Sequence, residues 1–205
     1  MKKWGWATFA AILCMVTVLT ACGPKQGSGS NSSPNGGEQP VGILHGEVIR
    51  KTENNWLITA YIEKNGNKHI EAISYTVNEQ TVLQTSAGKA QTADQIGVGS
   101  LVEAQSTSPI LESYPSQTVA SKIIVLEEDG NIPEGMIKRA AVVQAALEAP
   151  SPEGNMARAV KSAALDSASG RWSVELVDYP DMDKPFVVQV DARTGKMMEP
   201  APAKP

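Results

Sequence analysis

Residues Asn55–Val77 read NWLITAYIEKNGNKHIEAISYTV. Trp56, Ile58, Ala60 and Ile62 alternate with Leu57, Thr59 and Tyr61. Past Asn65-Gly66-Asn67, Ile73, Tyr75 and Val77 alternate with Ser74 and Thr76. A side-chain period of two is that of an extended strand, whose neighbours point to opposite faces. Asn-Gly between two such runs predicts a tight hairpin, because a type I′ turn needs positive φ at both central residues. This stretch therefore sets the class of the first folded part as β.

Working outward, the segments on either side read the same way. HGEVIRK (His45–Lys51) is a short strand candidate. Thr81–Ser100 holds a short strand, a turn at Gly88 and one helical turn at Ala93–Ile96. LVEAQS (Leu101–Ser106) and TVASKIIVLEE (Thr118–Glu128) supply the last strands, with Val119, Ile123 and Val125 expected on one face. Five short strands and one helical insert predict an all-β, OB-like, partly closed barrel over residues 41–127, since closure protects exposed edges. Tyr114-Pro115 reads as a turn, with the tyrosine ring capping the barrel end.

GEVI (Gly46–Ile49), ADQIGVGSLVEA (Ala93–Ala104) and ILESYPSQTVASKIIVLE (Ile110–Glu127) together resemble the YobA-like family, a small domain of unknown function found in lipoproteins of Gram-positive bacteria. The resemblance implies a barrel-like fold and a surface location, and brings no activity.

Residues 133–200 change pattern. Pro133 suits a helix start, and Met136, Ala140, Val143 and Leu147 recur at helical spacing before Ala149-Pro150-Ser151-Pro152 ends the run. Ala159–Leu165 reads as a weak strand or a short helix. Trp172, Val174 and Leu176, then Phe186, Val188 and Val190, alternate as strands, and Asp191–Gly195 is a turn. The expectation is an α+β domain, a helix on an antiparallel sheet. GRWSVELVD (Gly170–Asp178) and PFVVQVDARTGKM (Pro185–Met197) resemble the PepSY domain. That resemblance implies a module found beside secreted peptidases and in exported lipoproteins, some members restraining peptidases, and it carries no catalytic residues.

The first 40 residues give an address. Lys2 and Lys3 precede an apolar run, Gly5–Leu19, which has the layout of a secretory signal. The run spans roughly 15 residues, short of the ~20 that a transmembrane helix needs. Leu19-Thr20-Ala21-Cys22 resembles the bacterial lipobox, in which cleavage precedes a cysteine carrying diacylglycerol. Residues 1–21 are then a lipoprotein signal peptide, Cys22 is the lipid attachment site, and two or more acyl chains hold the mature protein on the extracytoplasmic face of the cell membrane. Gly23–Pro40 (GPKQGSGSNSSPNGGEQP) has no apolar period and reads as a flexible tether.

Composition narrows the chemistry. The chain has 18 basic and 22 acidic residues; loss of Lys2 and Lys3 with the leader leaves 16 against 22. An acidic chain outside the cell makes nucleic acid a poor partner, although Trp56, Tyr61 and Tyr75 are aromatics on strands. Of the two cysteines, Cys14 leaves with the leader, so neither a disulfide nor a thiolate site is expected. His45 and His69 stand in no zinc-binding spacing. Asp178, Asp181 and Asp183 cluster in DYPDMDKP but lack the calcium-loop spacing, and read as a solvated loop. Gly88-Lys89 lacks the rest of a phosphate-binding loop. No catalytic, cofactor or metal site is expected. The reading is a non-enzymatic binding or regulatory lipoprotein that restrains a secreted peptidase through residues 133–200. The alternative is an envelope-associated lipoprotein whose barrel binds a wall or membrane component.

Overall fold

The computed structural model describes residues 40–126, 132–150 and 157–198 of the 205. Seven strands come first: β1 (Gly42–Lys51), β2 (Asn55–Lys64), β3 (Asn67–Thr76), β4 (Val82–Thr85), β5 (Leu101–Ser106), β6 (Ser116–Val119) and β7 (Lys122–Val125). The β2–β3 hairpin forms with Lys64 opposite Asn67, and its turn residues Asn65 and Gly66 hold φ of 55° and 79°. A 3-10 turn at Ala93–Gln95 sits where one helical turn is expected, and the Gln95 side chain accepts the Thr92 N–H at 2.9 Å.

The seven strands make one mixed sheet in the order β4-β7-β5-β1-β2-β3-β6, and this sheet is not the expected barrel. No ladder joins the terminal strands β4 and β6. Each of these edges is covered locally instead. Leu111 and Gln117 exchange backbone hydrogen bonds of 2.8 and 3.3 Å along β6. A turn from Thr85 to Lys89 returns Ala90 against Gln84 of β4. The single strand expected across Thr118–Glu128 is really two. Ala120 N–H donates to Thr76 O, and Ser121 N–H donates to Gln105 O, so the chain changes partner from β3 to β5 within two residues. The change also breaks the expected shared face: Ile123 is buried and Val119 is exposed.

A three-stranded antiparallel sheet follows, β8 (Ala157–Asp166), β9 (Arg171–Tyr179) and β10 (Phe186–Asp191), in the order β10-β9-β8. Ala159–Leu165, readable as strand or helix, lies within β8. Among the described residues there is a single α-helix, α1 (Arg139–Leu147), of nine residues. The expected class, a barrel followed by an α+β domain, therefore gives way to a mostly β chain with one short helix. The helix is shorter than expected because Pro133 opens a turn instead. Met136 N–H donates to Pro133 O at 3.1 Å, and Gly135 between them holds φ +79°, which a helix does not allow.

The described residues belong to one compact unit. Burial explains how its layers join. The even-numbered residues of β2 (Trp56, Ile58 and Ala60) enter the core of the large sheet with Val48, Ile73, Tyr75, Val102 and Ile123. The opposite face is buried too. Leu57 of β2, with Ile70 and Ala72 of β3, packs against Ala157, Ala159 and Val177 of β8 and β9. Thr59 Oγ donates to Arg158 O across this seam at 2.8 Å. Helix α1 buries Val142, Val143 and Ala146 with Trp172, Val174, Leu176 and Val190.

Candidate functional site

The buried charges of the described residues lie along this seam. Glu47 on β1 and Arg139 at the start of α1 pair at 2.6 Å, both largely out of water. Burial pushes the Glu47 carboxyl above its ordinary range, and the Arg139 guanidinium opposes that push. On β8, the Arg158 fork donates to Asp178 through Nε at 2.7 Å and Nη2 at 3.0 Å. Its Nη1 donates to the carbonyls of Leu147 (3.2 Å) and Ala149 (2.7 Å) at the end of α1, and the guanidinium lies 5.1 Å from the Phe186 ring centroid. One side chain thus ties the helix terminus to β9 and β10. A planar, permanently charged fork suits that task, and a lysine could not reproduce it. These charges hold elements together.

Gly99 marks the tightest approach. It holds φ +86°, and a Cβ there would stand 2.1 Å from Ala140 O in the first turn of α1. Only glycine lets the loop before β5 meet the helix backbone at this distance.

The residues weighed in the sequence separate in space. Cys22 lies outside the described residues. His45 Nε2 lies 3.0 Å from Glu103 on the neighbouring strand, and His69 is exposed on β3. The three aspartates do not converge: Asp178 pairs with Arg158, Asp183 with Lys68 at 2.9 Å, and Asp181 with Lys184 at 2.6 Å. Among the described residues no group of three His, Cys, Asp or Glu side chains could hold a metal ion. Trp56 and Tyr75, weighed as stacking aromatics, are fully buried in the core. Tyr114 packs on Tyr179 with ring centroids 4.7 Å apart, and its hydroxyl donates to Ile70 O at 3.3 Å. It braces the loop onto β3 and stays partly open to solvent. Lys89 and Gly88 belong to the turn beside β4.

Two features could receive a partner. A cavity of about 590 Å³ opens where β7 meets the turn before α1; Val125, Leu126, Ile132 and Met136 give it apolar walls, and Ser100 and Lys138 are polar members. The other is the outer edge of β10. Among the described residues that strand pairs with β9 along its length and, at its far end, with the returning chain, where Asp191 N–H donates to Lys196 O at 2.9 Å and Met198 N–H donates to Gln189 O at 2.8 Å; Val187, ahead of that return, is exposed.

Sequence reasoning missed Glu47, Arg139, Arg158 and Gly99. A signal existed for one of them: Arg158 is a lone cation within the otherwise apolar run Ala157–Val160, which puts a charge where a strand is about to be buried. Comparison with protein-family models, with curated proteins and with solved structures returned no match. No helix among the described residues is long and apolar enough to cross a membrane.

Proposed function

We propose that the chain is a membrane-anchored extracytoplasmic lipoprotein, cleaved before Cys22 and held by diacylglycerol on that cysteine, whose folded part is a non-enzymatic module that restrains a secreted peptidase. The carrying observation is the succession at the N-terminus: two lysines, an apolar run too short to span, Leu19-Thr20-Ala21-Cys22, then a Gly/Ser tether ahead of β1. The likeness of the first folded part to YobA-like domains and of the C-terminal strands to PepSY domains belongs to the same proposal. The β10 edge supports the binding half of it. An extended segment of a peptidase can add by main-chain hydrogen bonds to the part of that edge around Val187, ahead of the Lys196–Met198 return, with Val187 giving an apolar contact.

The test is to incubate the mature protein with the secreted peptidases of its host. Slowed hydrolysis and a complex are expected, both weakened by Val187→Lys, a charge that blocks edge pairing. Unchanged rates and no complex contradict the proposal.

A further inference from the structure

Single exposed aliphatic side chains are ordinary on a protein surface; a gathering of them is not. Four gather at one end of the seven-stranded sheet: Val41 (61% exposed), Leu111 (62%), Val82 (46%) and Val119 (39%). Backbone hydrogen bonds bring them together. Val41 N–H donates to Ser106 O at 2.7 Å, and Val82 N–H donates to Ser121 O at 3.0 Å. Ser121 N–H in turn donates to Gln105 O at 2.9 Å, beside Ser106. Ser106 Oγ lies 2.8 Å from Thr118 Oγ, the residue before Val119. Leu111 is held against Gln117 of β6, and its neighbour Ile110 lies over Gly42. Thr118 and Leu83 turn inward, so Val119 and Val82 turn out.

Val41 is also where the tether arrives. The geometry points to this end of the sheet as a membrane-facing surface, whose four aliphatic side chains rest in the interface of the bilayer that carries the anchor. The inference rests on the reading that Cys22 is lipidated, because that places a bilayer at the far end of the tether. Eighteen residues of this composition have a root-mean-square span of ~23 Å and a limit of ~60 Å, so the end that receives them is the end nearest the lipid. A contact too weak to bind a free protein suffices here, because the anchor makes it intramolecular and raises its effective concentration to the millimolar range. Docking would fix the orientation of the module on the bilayer.

The test uses the mature chain from Cys22, which has that one thiol, coupled by it to a maleimide lipid in phosphatidylcholine vesicles. Leu111→Trp and, in a second variant, Val82→Trp place an indole in the patch; Val187→Trp places one on the β10 edge. With brominated acyl chains, and with the emission of the parent chain's buried Trp56 and Trp172 subtracted, the indole at each patch site is expected to lose most of its emission and the indole on the β10 edge to keep its own. Any other pattern, including equal quenching at all sites or none, overturns the inference. The coupling is chemical, so the result stands whether or not cells lipidate Cys22. Absence of lipid on Cys22 in cells would refute the proposed function by a separate measurement.

Discussion

The two faces of β2 solve the problem of burial by different means. Toward the interior of the large sheet, Trp56, Ile58 and Ala60 meet Tyr75, Val102 and Ile123, an apolar core filled by volume. Toward β8, the contact is made of Leu57 and Thr59 against Ala157 and Ala159, flanked by Glu47–Arg139 and Arg158–Asp178. Small residues bring the backbones close, and buried ions then depend on the exact place of their partners. The interior should tolerate conservative changes in size. The seam should not tolerate loss of one member of a pair.

The largest effect should come from Arg158→Met. It keeps an apolar stem but removes the forked donor to Asp178 and to two carbonyls, and loss of one partner from a buried pair costs about 3–5 kcal/mol. Urea unfolding should show it as a lowered midpoint. Next is Gly99→Ala, whose methyl would collide with Ala140 O at 2.1 Å and hold an unfavourable φ. A loss of about 3 kcal/mol is expected, again read from the unfolding midpoint. Ile58→Val, in the interior, should cost only about 1 kcal/mol. If Ile58→Val proves as damaging as Arg158→Met, the contrast between the two faces fails.

The hairpin at its centre was legible because Asn65-Gly66 and the period of two are local chemistry. The open topology was not. β4 and β6 are four residues long, and each finds a parallel partner far away in sequence, a pairing that periodicity does not encode. The switch at Ala120-Ser121 has neither glycine nor proline to announce it. The helix was placed too early because Pro133 fits both a helix start and a turn, and Gly135 decides for the turn. The reading of the border around Cys22 as a targeting pattern rests on composition and order alone, and Cys22 lies outside the described residues. The pairing of Glu47 with Arg139 was not readable, because the two are 92 positions apart.

The smallest effect is one of pH. Burial holds the Glu47 carboxyl above its ordinary value of 4.5, so the folded chain binds that proton more tightly than the unfolded one. Its contribution to stability is therefore full below 4.5 and is lost as pH rises through the raised value. Asp166 and Asp191, lowered by hydrogen bonds from Ser169 and Thr194, act in the opposite sense: their stabilisation is present above 3.8 and lost on acidification. As pH rises above 4.5, stability measured by urea unfolding should fall more steeply in the native chain than in Glu47→Gln. Parallel profiles would remove Glu47 as the source.

The most direct test of the central claim is intact mass spectrometry of the protein from its own membranes, with fractionation of the native chain and of Cys22→Ser. The account predicts a chain beginning at Cys22, carrying diacylglycerol and sedimenting with the membrane, while Cys22→Ser stays unprocessed or leaves the membrane. A soluble native chain with an unmodified Cys22 would contradict it.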